Sequence, residues 1–137
     1  MPSPHVTQMT PHRNESNMNI LNIINVPEHL EVDFEEICTQ RKADCINSIS
    51  SISKEWIQAF PDINFNVLNE SVNENFSCYE LLWTGTHQGD LSIVDGYIPK
   101  TNKKVKFRSV LITHFPMNNK TYIRHYFDLI TIFDQLA

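Results

Sequence analysis

The apolar positions of the chain keep two different periods, and the switch between them falls near residue 62. Before it the spacing is helical. Residues 28–40 place Leu30, Phe34, Ile37 and Cys38 at steps of four, three and one, with acids early in the segment, and this predicts an amphipathic helix. Ile49, Ile52, Trp56, Ile57 and Phe60 fall at i, i+3, i+7, i+8 and i+11, predicting a second helix that Asn47 or Ser48 caps and Pro61 ends. Both helices are expected on one side of a sheet. Residues 20–26 are densely apolar but are interrupted by Pro27, so helix and strand stay open there.

After residue 62 the period is two. Ile63, Phe65 and Val67 alternate with Asn64 and Asn66, which predicts a strand with one dry and one wet face. Residues 76–87 form a longer strand with Tyr79, Leu81 and Trp83 on one side, and Gly85 and Gly89 bracket His87 where the chain bends. Residues 90–104 read as a loop, with turn chemistry from Gly96, Pro99 and Asn102. A third strand over 105–115 sends Val105, Phe107, Ser109, Leu111 and Thr113 one way, and Lys106, Arg108, Val110, Ile112 and His114 the other. A turn over 116–119 returns the chain as a fourth strand, 122–127, and Leu129, Ile132, Phe133 and Leu136 then predict a closing helix. Helices followed by an antiparallel meander give an α+β fold: N-terminal helices packed on a curved, mainly antiparallel sheet, a cone-shaped α+β barrel with an apolar interior.

Length narrows this to one domain, since 137 residues supply one sizeable core and not two. Residues 1–19, polar and carrying Pro2, Pro4 and Pro11, are expected as a flexible tail before a domain over 20–137. A net charge of −5 gives a polyanion no purchase, so nucleic acid is not an expected partner. No apolar run is long enough to span a membrane, and Cys38, Cys45 and Cys78 form neither a CxxC pair nor an even disulfide set. A cytoplasmic protein with reduced thiols is the expectation.

The candidate chemistry centres on Asp128, a carboxylate between Phe127 and Leu129. It is either the N-cap of the last helix or an acid/base group whose proton affinity burial raises. His87 either lines a pocket or fastens the strand bend. His114 and His125, on adjacent strands, are each within range of tuning Asp128 or of orienting a substrate oxygen, or are simply structural. Trp83 is core or cavity wall, Tyr126 a ligand or rim residue, and Arg108 a solvated cation or an enolate stabiliser. His87, His114, His125 and Asp128 follow no metal-ligand spacing, so no metal is expected.

Four ordered segments carry a resemblance. They are Trp56-Ile57-Gln58-Ala59-Phe60-Pro61-Asp62, Trp83-Thr84-Gly85-Thr86-His87-Gln88-Gly89, the run from Ile98-Pro99-Lys100 to Lys106-Phe107-Arg108, and Tyr126-Phe127-Asp128 with Gln135-Leu136 seven residues on. Together, over about residues 48–137, they resemble the SnoaL-like polyketide cyclases of the nuclear-transport-factor-like superfamily. The resemblance implies a cofactor-free enzyme that closes a ring in a polyketide-type carbonyl compound by intramolecular aldol condensation, with Asp128 at the position of the family's acid/base aspartate. It further implies a small hydrophobic carbonyl ligand and a homodimer. With Asp128 in that role, strand position makes His114 and His87 the expected catalytic partners and Trp83, Tyr126, His125 and Arg108 the expected substrate contacts. A non-catalytic ligand- or protein-binding module of the same fold, and a dehydratase or epoxide hydrolase, are the alternatives.

Overall fold

The computed structural model describes residues 13–16, 20, 31–117 and 119–137. Their elements run β1 (Arg13–Ser16), β2 (Glu31–Glu36), β3 (Arg41–Ala43), α1 (Ile46–Ala59), β4 (Asn64–Val72), β5 (Phe76–Thr86), β6 (Leu91–Ile93), β7 (Gly96–Ile98), β8 (Lys104–Met117), β9 (Lys120–Phe127) and α2 (Leu129–Leu136). Seven strands form one curved sheet in the order β1-β4-β5-β8-β9-β2-β3, and β6 and β7 pair as a separate hairpin. Every pairing is antiparallel except that of β2 with β9, so the sheet is mixed but mostly antiparallel, with helices on it. The expected fold class holds.

The meander follows from the period-two pattern. On β5, Ser77, Tyr79, Leu81 and Trp83 turn inward, and on β8 their directly paired neighbours Thr113, Leu111, Ser109 and Phe107 do the same. On β9 the inward set is Thr121, Ile123 and His125. Helix α1 lays Ile49, Ser53, Trp56 and Ala59 against this surface at i, i+4, i+7 and i+10. Its N-cap is Cys45, two residues before Asn47 and three before Ser48, the positions expected, and Pro61 follows its end as expected. Asp62 then ties the helix exit to β5, accepting from the Thr86 backbone N–H at 2.6 Å and the Thr86 hydroxyl at 2.7 Å.

Two expectations are corrected. Residues 31–36 are strand β2, not part of a helix, because Val32, Phe34 and Glu36 alternate inward and pair with β9. Residues 91–98, read as loop, hold the β6–β7 hairpin. Arg13–Ser16, within the expected tail, pairs with β4, while the rest of that tail, and residues 21–30, lie outside the described residues.

One close approach sets a stability test. The backbone N–H groups of Gln88 and Gly89 both bond to the Ala59 carbonyl, and a Cβ at Gly89 would stand 2.0 Å from the Gln58 carbonyl oxygen. Because backbone must move to relieve that contact, Gly89→Ala should cost about 1–3 kcal/mol, read as a lowered urea midpoint. An unchanged midpoint would contradict the packing of this loop under α1.

Candidate active site

Where α1 crosses the sheet, a cavity of about 20 Å³ remains, lined by Phe34, Trp56, Trp83, Phe107 and Phe127 and by two titratable groups, Glu36 and His125. The space holds about one water molecule. Glu36 reaches it because β2 carries residues 32, 34 and 36 to the same face, and His125 because Ile123 and His125 alternate inward on β9. The two residues are paired across the β2–β9 ladder, Glu36 opposite His125.

Glu36 is 2% exposed and both of its carboxylate oxygens accept hydrogen bonds. Its Oε1 accepts from Thr39 Oγ1 at 2.6 Å and from Arg41 Nη2 at 2.9 Å and Nε at 3.1 Å, while Oε2 accepts from Trp56 Nε1 at 3.0 Å. Arg41 also pairs with Glu55 on α1 and lies over the Trp56 ring. A buried carboxylate with this many donors stays in one place, because each lost bond would leave a charge unsolvated.

His125 is 4% exposed, and burial pushes its pKa down to about 4, against the opposing pull of Glu36. The imidazole is therefore neutral at ordinary pH. Its Nε2 lies 2.9 Å from Ser109 Oγ, which also accepts from Trp83 Nε1 at 2.7 Å. A hydroxyl has one proton and two lone pairs, so Ser109 can serve either imidazole tautomer. Among the described residues Nδ1 has no hydrogen-bond partner, and His125 lines the cavity.

The SnoaL-like polyketide cyclase family model matches residues 16–136, nearly the whole chain. The chain belongs to the SnoaL-like polyketide cyclase family. Similar solved structures include a protein assigned as a SnoaL-like polyketide cyclase from Jannaschia sp. CCS1, at 14% identity and a TM-score of 0.62, covering 81% of this chain and 72% of that one. IdmH from Streptomyces antibioticus, assigned as a polyketide cyclase, has 12% identity, a TM-score of 0.62 and 88% coverage of both chains. A protein with a ketosteroid isomerase-like fold from Catenulispora acidiphila has 9% identity and a TM-score of 0.61, covering 88% of this chain and 82% of that one. At these identities they show the fold alone. No curated protein matches the chain.

This SnoaL-like chain divides its expected site residues between several places, with Asp128 and Arg108 at one depression and Trp83 and His125 at the cavity. Asp128 is exposed and is the N-cap of α2, its Oδ1 accepting from the Ile130 N–H at 3.0 Å and its Oδ2 from the Thr131 hydroxyl at 3.0 Å. It borders a depression with Leu82, Lys106 and Arg108 that His125 does not line. Of the two readings open for it, capping is the one with visible partners. Asp128→Ala should therefore cost about 1 kcal/mol of stability, and a thermal melt indistinguishable from the parent would contradict that role.

His114 is exposed on the outer face beside Phe76, Arg108 is exposed 3.9 Å from Glu80, and Tyr126 is 42% exposed. His87 is buried but serves the bend: Nδ1 accepts from the Thr101 N–H at 3.2 Å, its backbone N–H bonds to Lys103, and burial lowers its pKa. Only Trp83 and His125 of the expected set meet at the cavity, with ring centroids 5.9 Å apart. Glu36, Ser109 and the cavity-lining role of Trp56 were not read from the sequence. For Ser109 the signal was available, since it shares the inward parity of Phe107 and Leu111. Nearby Cys38 is no candidate nucleophile, because burial, followed by the Glu36 charge, pushes its thiol up to about 12. Among the described residues no cluster fits a metal, and no helix is long and apolar enough to cross a membrane.

Proposed function

We propose that this chain is a cofactor-independent cyclase or isomerase of a neutral carbonyl compound of polyketide type, with His125 as its acid/base group. The observation that carries the reading is the pairing of Glu36 with His125 across the β2–β9 ladder, both lining a cavity whose other walls are mainly aromatic and aliphatic. Nδ1 of the neutral imidazole takes a proton from the carbon between two carbonyls, and the enolate carbon attacks a second carbonyl of the same molecule. The imidazolium returns the proton to the new alkoxide, so the ring closes with no net gain or loss of protons. Glu36 acts through its charge: it opposes the desolvation of the imidazolium and so favours the step that a neutral wall would resist. The aspartate expected from the family, Asp128, is in this reading a structural cap. The outer face, with half-buried Leu82, Val110 and Ile112, is the surface on which a homodimer would form.

The test is ring closure of an aryl β-keto ester bearing an ortho carbonyl, followed by absorbance without added metal or cofactor. Closure above the buffer rate is expected. The second reading, a binding module, is favoured by the small size of the cavity, about 20 Å³. Retention of the ester in native mass spectrometry with no product formed would select it.

A further inference from the structure

The inner cavity is too small for a ring system, so the body of any such ligand needs another seat. A groove of about 550 Å³ opens on the other side of Trp56, between the β2–β3 turn, α1, the β6–β7 hairpin and the start of α2. That volume is within the usual range of small-molecule sites, roughly 300–1,000 Å³. Trp56 lines both spaces, so a ligand in the groove is one side chain away from Glu36 and His125.

The groove's chemistry is selective. Its apolar contacts come from Ile93, Val94, Leu129 and Phe133, and Ile93 and Val94 are 38% and 93% exposed at the hairpin tip. Such side chains gain by covering an apolar ligand. Among the charges, Arg41 is already held by Glu36 and Glu55, and Asp95 adds a further acid to the wall. One cation against Glu55 and Asp95 leaves the lining with a net negative charge, and Glu36 lies behind it. An anionic ligand is therefore repelled, and among the described lining residues no free cation is available to hold a carboxylate.

We infer that this groove is the seat for the body of an uncharged aryl ketone or ester of two to three rings, with Trp56 as the partition past which the reacting carbonyl reaches His125. The inference rests on the proposed acid/base reading for its purpose, but its test reads binding without turnover, so either can fail alone.

The probe is Prodan, a neutral naphthyl ketone whose emission shifts to the blue on leaving water. Titration of the full chain should give saturable binding at one site per chain. Ile93→Asp should weaken it at least tenfold, whereas Ile130→Asp, at a 67% exposed position outside the groove, should leave it within twofold. The anionic naphthalene probe 1-anilinonaphthalene-8-sulfonate should bind at least tenfold more weakly than Prodan. Absence of saturable Prodan binding, equal effects of the two substitutions, or equal affinity for the anionic probe would each overturn the assignment. Both substituted positions are exposed, so unchanged thermal melts are expected to accompany the binding data.

Discussion

Replacing His125 by glutamine should lower turnover of an aryl β-keto ester by about 10²–10⁴-fold, the usual contribution of a positioned general acid/base. Glutamine keeps a polar atom near Ser109 Oγ, where Nε2 now lies at 2.9 Å, so the packing around Trp83 has little cause to change. What is lost is the group that accepts and returns a proton at the cavity. The loss should fall mainly on kcat, because the groove that would seat the ring system does not include residue 125. In the parent protein, activity should fall as acid protonates the imidazole, with the lower limb set by a group held near 4. A variant that retained full turnover, or lost it only through unfolding, would remove His125 from the mechanism.

The second large effect is on stability in acid. The His125 imidazole has a pKa of about 4 in the fold, against 6.5 for the free group, because burial disfavours the charged ring more than Glu36 favours it. The unfolded chain thus takes up this proton first. Stability from the neutral ring is complete above pH 6.5 and is lost as pH falls towards 4, by about 3 kcal/mol in all. His87, also lowered by burial, acts in the same direction. Urea unfolding at pH 7.5 and 4.5, on the parent and on His125→Gln, isolates the contribution, since carboxylate effects are common to both proteins. The parent should lose more stability than the variant between these two pH values. Parallel losses would contradict the buried, neutral state of His125.

The sheet was legible where its inward positions are apolar. On β5 and β8 the alternation of Tyr79, Leu81 and Trp83, and of Val105, Phe107 and Leu111, gives strand, face and pairing partner together. It failed at β2 for a physical reason that bears on function. Glu36 occupies an inward position, so Val32 and Phe34 are followed by a charge, and the remaining apolar residues, Leu30, Ile37 and Cys38, imitate a helical stripe. The residue that hid the strand is the one that puts a carboxylate at the cavity. The β6–β7 hairpin was missed because each strand has three residues and, of these, Leu91 alone is buried.

The site was legible in parts. Period two along β9 places His125 with Ile123 on the inward face, and that much needs no structure. Glu36 and His125 are far apart in the chain and meet only through the parallel β2–β9 pairing, which no local pattern announces. Asp128 has a sequence that permits either role, because the same strand-to-helix junction supplies both a cap and an approach to a cone's rim. Its two bonds, to Ile130 and Thr131, draw the side chain to the helix.

The measurement that bears most directly on the central claim is turnover of Asp128→Asn beside the parent, on the same aryl β-keto ester. Asparagine still caps a helix but cannot exchange a proton near neutral pH, so the substitution removes only the chemistry in dispute. With acid/base work at His125, Asp128→Asn keeps turnover within about twofold of the parent. A loss of about 100-fold or more, with the fold intact, would return the chemistry to Asp128 and contradict the account.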